Sequence, residues 1–357
     1  MDVTSWFLRR TEPRPLLVTA PGGTGARLAV EKLVRVRGWR MATSPAHANT
    51  LIMAGADHRI ESHVERLWQS MPAPRVRVDV ATAVDADREL AAVTALLHDT
   101  VRQRAEAARP EPVPVEDTHS HHMTPDDHQA HGDSTDHATH DGHGGHGGHM
   151  SGMELPGGVP MADRAPDRDG LTLDQLTLPL GPALALWPAG LVVHTQVQGD
   201  VIRQVSVELL TGDHVSFWAP RQEHHVVARC LDSCHRLLAV AGWEDAAVTA
   251  QRLRDDALAG ESPDVRRWAG RVRRSRTLRW LLSGVGTTPE RSGDALDRLH
   301  WWLDLATTPS ADLQETQWTV DDLPALLSGT ELAGARLIVA SIDPDLDVPA
   351  AHGVRHG

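Results

Sequence analysis

Between positions 119 and 149 this chain carries His119, His121, His122, His128, His131, His137, His140, His143, His146 and His149, interleaved with Asp126, Asp127, Asp133, Asp136 and Asp141. Neutral imidazole is the commonest side-chain ligand for first-row metals such as nickel, zinc and copper, and neighbouring carboxylates add negative charge to such a site. In the run H-G-G-H-G-G-H, from His143 to His149, glycine lets the backbone wrap an ion without steric cost. Met123, Met150, Met153 and Met161 add soft sulfur donors suited to cuprous copper. These residue types point to bound nickel, zinc or copper without choosing among them. The plainer alternative is a soluble spacer that takes up metal only as an affinity tag would.

A second pair of ligand-type residues is Cys230 and Cys234, with His235 beside them. They are one helical turn apart, and Cβ atoms at that spacing lie about 6 Å from each other, too far for an unstrained disulfide. They therefore read as small buried residues. No acid-base pair, activated nucleophile or cofactor loop stands out elsewhere. The turn Pro21-Gly22-Gly23-Thr24-Gly25-Ala26 lacks the lysine and spacing of a phosphate-binding loop and reads as a strand-to-helix turn.

These residues need elements to hold them. Pro15 to Thr19 and Thr50 to Ala54 are short apolar runs expected of buried parallel strands, and Arg75 to Val80 alternates as a third. Arg27 to Val36, the stripe Ile60, Val64, Leu67 and Trp68, and the stretch Arg88 to Arg104 read as helices. The resulting βαβ pattern predicts a flavodoxin-like parallel α/β domain over residues 1–107. A Pro-, His- and Gly-rich linker over 108–170 follows, with too few branched or aromatic residues to build a core, and is expected to be disordered without metal.

The second domain, 171–345, opens on a β-hairpin: Leu191 to Gln198, a Gly199-Asp200 turn, then Val201 to Leu209. Helices are expected over His225 to Val240, Ala246 to Leu258, Val265 to Leu282 and Leu296 to Leu305, forming a bundle beside the hairpin in an α+β arrangement. Thr319 to Leu327 reads as a short helix, Ala335 to Ile342 as a strand and 346–357 as a tail. Trp268, Trp280, Trp301 and Trp302 read as core or interface anchors. Arg266, Arg267, Arg271, Arg273, Arg274, Arg276 and Arg279 make a locally basic stretch, either a solvated helix face or a docking surface for an acidic partner subunit.

The segment Ser44 to Pro74 (S-P-A-H-A-N-T-L-I-M-A-G-A-D-H-R-I-E-S-H-V-E-R-L-W-Q-S-M-P-A-P) resembles the core cassette of the B-type subunit of respiratory complex I (NADH-quinone oxidoreductase) and the small subunits of NiFe hydrogenases. That resemblance implies an iron-sulfur cluster held by four cysteine thiolates, near the turn after the first strand, after the M-P-x-P strand and in a later loop. Thr19 to Thr24 and Ala81-Thr82-Ala83 stand at the first two places, so no iron-sulfur cluster is expected here. Leu178-Pro179-Leu180-Gly181-Pro182 and the hairpin resemble, more weakly, the opening of the D-type subunit and of hydrogenase large subunits. The resemblance implies a quinone-site histidine-arginine-glycine motif after the hairpin in the D-type subunit and nickel-iron-binding cysteine pairs in hydrogenases; Leu210-Thr211-Gly212-Asp213-His214-Val215 has neither.

Composition narrows the classes that remain. Among 357 residues the formal net charge is -13, which disfavours nucleic acid as a partner. Met1 to Arg14 lacks the apolar core of a signal peptide, and Leu176 to Val193 is broken by Pro179, Pro182 and Pro188, so no direct membrane span is expected. Two cysteines cannot build a disulfide scaffold, in keeping with a cytoplasmic location, peripheral to a membrane through partners. The expected function is a non-catalytic accessory, assembly or regulatory protein that joins subunits of a membrane-associated oxidoreductase. The alternative is a protein that stores or delivers nickel, zinc or copper ions through its histidines.

Overall fold

Three runs of mostly apolar residues, β1 (Pro15–Thr19), β2 (Thr50–Ala54) and β3 (Val76–Val80), lie side by side in parallel in the order β1-β2-β3. Their register sets Thr19 beside Ala54 and Ala54 beside Val80, so the three carboxyl ends are flush. The computed structural model describes residues 10–108, 163–166 and 172–347, apart from 211, 213, 221, 263, 290–292 and 310–317. The histidine-rich segment lies outside the described residues.

Because successive side chains on a strand point to opposite faces, each strand feeds two layers. Leu17, Ile52, Val76 and Val78 face α1 (Thr24–Val36) and α3 (Ala86–His98), meeting Val30, Val34, Leu90 and Val93. Leu16, Val18, Leu51 and Met53 face the other way, toward Ile60 and Val64 on and beside α2 (Glu61–Gln69). Each fully buried aliphatic side chain contributes about 1.5–3 kcal/mol. The sheet is thus covered on both faces, as a parallel sheet must be.

The stretch expected as one helix from Arg88 to Arg104 is two. Asp99 ends α3 and caps α4 (Thr100–Ala107), its carboxylate accepting from the backbone N–H of Val101 and Arg102. An aspartate offering that cap competes with continuing the helix. The same happens in the predicted Val265 to Leu282 helix, where Ser275 separates α7 (Val265–Arg273) from α8 (Arg276–Leu282) by accepting from Leu278 N–H.

A second sheet has the order β4-β5-β6-β7, with β4 at Asp163–Pro166 and β5 at Thr172–Leu180. The predicted hairpin is present as β6 (Leu191–Gln198) and β7 (Val201–Leu209), antiparallel with a shift of register at Gln196/Val197. Beside it lie α5 (Glu223–Val240), α6 (Glu244–Leu258), α9 (Ala295–Thr307), α10 (Leu323–Leu327) and α11 (Leu332–Ile342).

α11 replaces the strand expected at Ala335 to Ile342. Its Leu337 and Ala340 pack into the helical core, while Ala335, Ile338, Val339 and Ile342 pack against the hairpin. A helix buried on two sides is apolar nearly all round, and a short apolar run of that kind has no periodicity to separate helix from strand. Of the tryptophans expected as anchors, Trp268 and Trp302 are buried and Trp301 packs at the edge of the core, but Trp280 is 82% exposed. At α8 the buried positions are Leu278 and Leu282, and Trp280 falls on the opposite face.

The described residues up to 108 and from 164 onward belong to one compact unit. Ala183, Ala185 and Leu210 lie against the β1–β2 face that also carries Leu67 and Trp68.

Candidate functional site

At the carboxyl ends of β1 and β2, the edge where open α/β sheets bind ligands, the chain turns sharply twice. Gly22 and Gly55 adopt φ of 73° and 94°, a region that glycine enters without strain. Gly23 is required for a different reason: a Cβ there would stand 2.2 Å from the carbonyl oxygen of Ala54. The two turns are therefore pressed together. A Cβ on Gly22 would stand 2.7 Å from Nδ1 of His214, in the segment that follows the hairpin. The place after β1 where the resemblance implies cluster thiolates and the place after the hairpin where it implies a quinone-site motif are thus in contact.

Protein groups fill this place. Asp57, just past β2, has a buried carboxylate gripped by Arg59: Nε donates to Oδ1 at 2.9 Å and Nη2 to Oδ2 at 2.6 Å. Those hydrogen bonds outweigh burial and hold the carboxyl at about 2. His214 approaches the same Oδ2 at 3.4 Å, so the histidine is a lesser partner to a carboxylate already taken up by Arg59. No seryl, threonyl or cysteinyl nucleophile is hydrogen-bonded to His214 among the described residues, and the group acts as a clasp between the β2 turn and the post-hairpin segment.

On the other side of the β1 turn, Asp347 accepts from Gly22 N–H at 2.7 Å and from the Thr24 hydroxyl at 3.4 Å, placing a carboxylate at the N-terminus of α1. Burial raises its pKa, against the favourable backbone donor. Asp343 and Asp345 anchor the same strap: Asp343 pairs with Arg236 at 2.7 Å and accepts from Ser233, and Asp345 accepts from Ser216. Between strap and sheet is a small cleft bordered by Thr19, Thr24, Trp187, Trp218 and Arg229. Of its charged walls, Arg229 pairs with Asp345 at 3.6 Å and Arg236 with Asp343 at 2.7 Å, while Arg27 is held from behind by Asp232.

Deeper, α1 is joined to α5 and α6 by a buried ion network. Arg27 donates to both oxygens of Asp232, at 2.7 and 3.1 Å, and to Glu31 at 3.0 Å. Arg254, with none of its surface exposed, donates to Glu31 and Asp232 at 2.6 Å each and to Asp255, which also holds Arg35. Three guanidiniums thus face three carboxylates, and each buried charge has a partner as burial demands. Burial opposes the ionisation of Glu31, but Arg27 and Arg254 outweigh it and hold Glu31 at about 2; the same two arginines hold Asp232 far below the usual range.

His235 completes the group. Its Nδ1 lies 3.1 Å from the Ala247 carbonyl and must donate, while Nε2 accepts from Gln251 at 3.0 Å. The ring is accordingly neutral, and burial lowers its pKa. Cys230 and Cys234, on the same helix, are buried free thiols. Burial pushes Cys230 up to about 12 and Cys234 well above its ordinary value, which suits neither metal ligation nor nucleophilic attack.

The ten histidines from His119 to His149 lie outside the described residues. Among the described residues no group of three His, Cys, Asp or Glu side chains is placed to hold a metal ion, and no helix is long and apolar enough to cross a membrane. Sequence reasoning passed over Asp57, His214 and the Arg27 network. The signal was present for the network: Arg27 and Glu31 sit with Val30 and Val34 on the inward stripe of α1, where charge is unexpected without partners.

Fold and site together define a mixed α/β protein whose sheet edge is closed by its own clasped charges. Compared with models of known protein families, with curated proteins and with solved structures, the chain finds no match in any of the three.

Proposed function

We propose that this chain is a non-catalytic accessory or assembly protein of a membrane-associated oxidoreductase of the complex I or NiFe-hydrogenase kind. The observation that carries this reading is the approach of His214 to Gly22. Two segments that resemble separate subunits of those enzymes meet at the positions where the resemblance implies redox sites. The groups there are Arg59 and His214, which bind Asp57, and Asp347, which accepts from Gly22 and Thr24. A sheet edge closed in this way suits a scaffold that presents its outer surface to partners.

Affinity purification from the native cell tests the reading directly. Subunits of such an oxidoreductase are expected to co-purify in fixed ratio; their absence under gentle extraction overturns it. Purified chain is expected to contain neither iron nor acid-labile sulfide, and a stoichiometric cluster would sink the proposal from the other side.

The ten histidines between 119 and 149 favour a second reading, in which the chain stores or delivers nickel, zinc or copper. Deleting 118–150 should then abolish high-capacity binding of those ions in titration calorimetry. Unchanged nickel and zinc binding in the deleted protein would refute it.

A further inference from the structure

We infer that the arginine-covered face of α7 and α8, with Trp280 at its tip, is a docking surface for anionic lipid headgroups. Between Asp264 and Glu290 the chain has seven arginines and no carboxylate, in a protein whose formal net charge is -13. Two of the seven are engaged: Arg273 with Asp304, and Arg271 over the Trp243 ring at 5.3 Å. Arg266, Arg267, Arg274, Arg276 and Arg279 are exposed and form no ion pair among the described residues.

Helical geometry puts them on the outward face of each of the two helices. On α7 the buried residues are Val265, Trp268, Ala269 and Val272, which leaves the arginines on the outward face. On α8, Arg276, Arg279 and Trp280 fall within about 100° of arc, opposite Leu278 and Leu282. An indole 82% exposed beside unpaired guanidiniums is the pairing found where protein meets the headgroup layer, since the ring is apolar with one polar N–H. The net negative charge of the molecule disfavours approach to an anionic surface, and a face dense in arginine and free of carboxylates along its own sequence favours that orientation.

Trp280 protrudes and lines neither the cleft beside Thr19 and Asp345 nor the one beside Arg14 and Glu244, and of the seven arginines only Arg271 lines the second. A lipid surface needs no recess. This inference does not rest on the proposed accessory role, because lipid binding is read with the purified chain alone.

The test is flotation of the full chain with vesicles of phosphatidylcholine, or of phosphatidylcholine mixed with phosphatidylserine, in chelator and above the titration range of histidine. Binding is expected only to the serine-containing vesicles and should vanish in high salt. Arg276→Gln with Arg279→Gln should weaken it roughly 25-fold, from about fivefold per basic residue near the surface. Arg88→Gln with Arg102→Gln, which changes net charge equally elsewhere, should leave it nearly unchanged. Trp280→Ala should weaken binding without altering its salt dependence. All these side chains are exposed, and near-ultraviolet circular dichroism confirms folding of each variant. Absence of serine-dependent binding, or equal weakening by the two arginine pairs, overturns the inference. So does tight binding to polyglutamate without binding to vesicles, which would assign the face to an acidic protein.

Discussion

Arg27, in the first turn of α1, and Asp232, in the middle of α5, face each other through two buried hydrogen bonds of 2.7 and 3.1 Å across 205 positions of sequence. A bidentate guanidinium-carboxylate pair fixes both distance and plane. It sets the first helix of the parallel sheet against the helical bundle.

Removing one partner leaves the other charge buried and uncompensated. Arg27→Met is expected to cost about 3–5 kcal/mol of unfolding free energy, measured by urea denaturation. Arg27→Lys should recover little, because an ammonium cannot bond both Asp232 oxygens in one plane. A loss below about 1 kcal/mol in Arg27→Met would show that the network is dispensable.

Stability should fall on acidification in two windows. His235 is held neutral, with its pKa lowered by burial, so its contribution is present above its ordinary value near 6.5 and fades as pH drops below that. Glu31, held at about 2 against an ordinary 4.5, contributes fully above 4.5 and loses that contribution as pH falls from 4.5 toward 2. Asp57, also at about 2, loses its contribution from 3.8 downward. Thermal unfolding across pH checks this, and His235→Gln should shrink the upper window, to which His63, His225 and His300 also contribute through burial, while leaving the lower one in place.

Cys230 and Cys234 should resist maleimide in the native protein and react fully in denaturant. Their burial raises the thiol pKa, so the reactive thiolate is scarce as well as inaccessible. Fast stoichiometric labelling of folded protein, followed by mass spectrometry, would contradict the buried placement.

Gly23→Ala should be among the most disruptive small changes in the chain. The added methyl would meet the carbonyl oxygen of Ala54 at 2.2 Å and that of Ala20 at 2.8 Å, and neither backbone can yield without separating the β1 and β2 turns. A loss of about 1–3 kcal/mol or more is expected in denaturant titration. Unaltered stability would mean that the turns are not in contact.

The sequence alone determined the local elements wherever its hydrophobic pattern was unambiguous. β1 and β2 begin and end where their apolar runs do, and the hairpin follows its alternation and Gly199-Asp200 turn. β1 and β2 are buried on both faces and show as short continuous apolar runs bounded by turns, whereas β7 alternates because only one of its faces packs into the core. α11 was not legible because burial on two sides erases the period, and Asp99 and Ser275 divided helices by capping that a count of apolar residues does not register. The histidine segment offers metal-ligand residue types at metal-ligand spacing, and it lies outside the described residues.

Tertiary structure alone decided which charges meet. Arg27 follows a glycine-rich turn in the sequence, and nothing in its neighbourhood announces Asp232 or Arg254. The pairing of α1 with α5 depends on the shapes of two packed surfaces assembled from distant parts of the chain. Once they close, water is excluded and every buried charge must find its counter-charge within hydrogen-bond reach. The same packing brought His214 to Gly22 and left Trp280 facing outward, relationships that spacing along the chain does not contain.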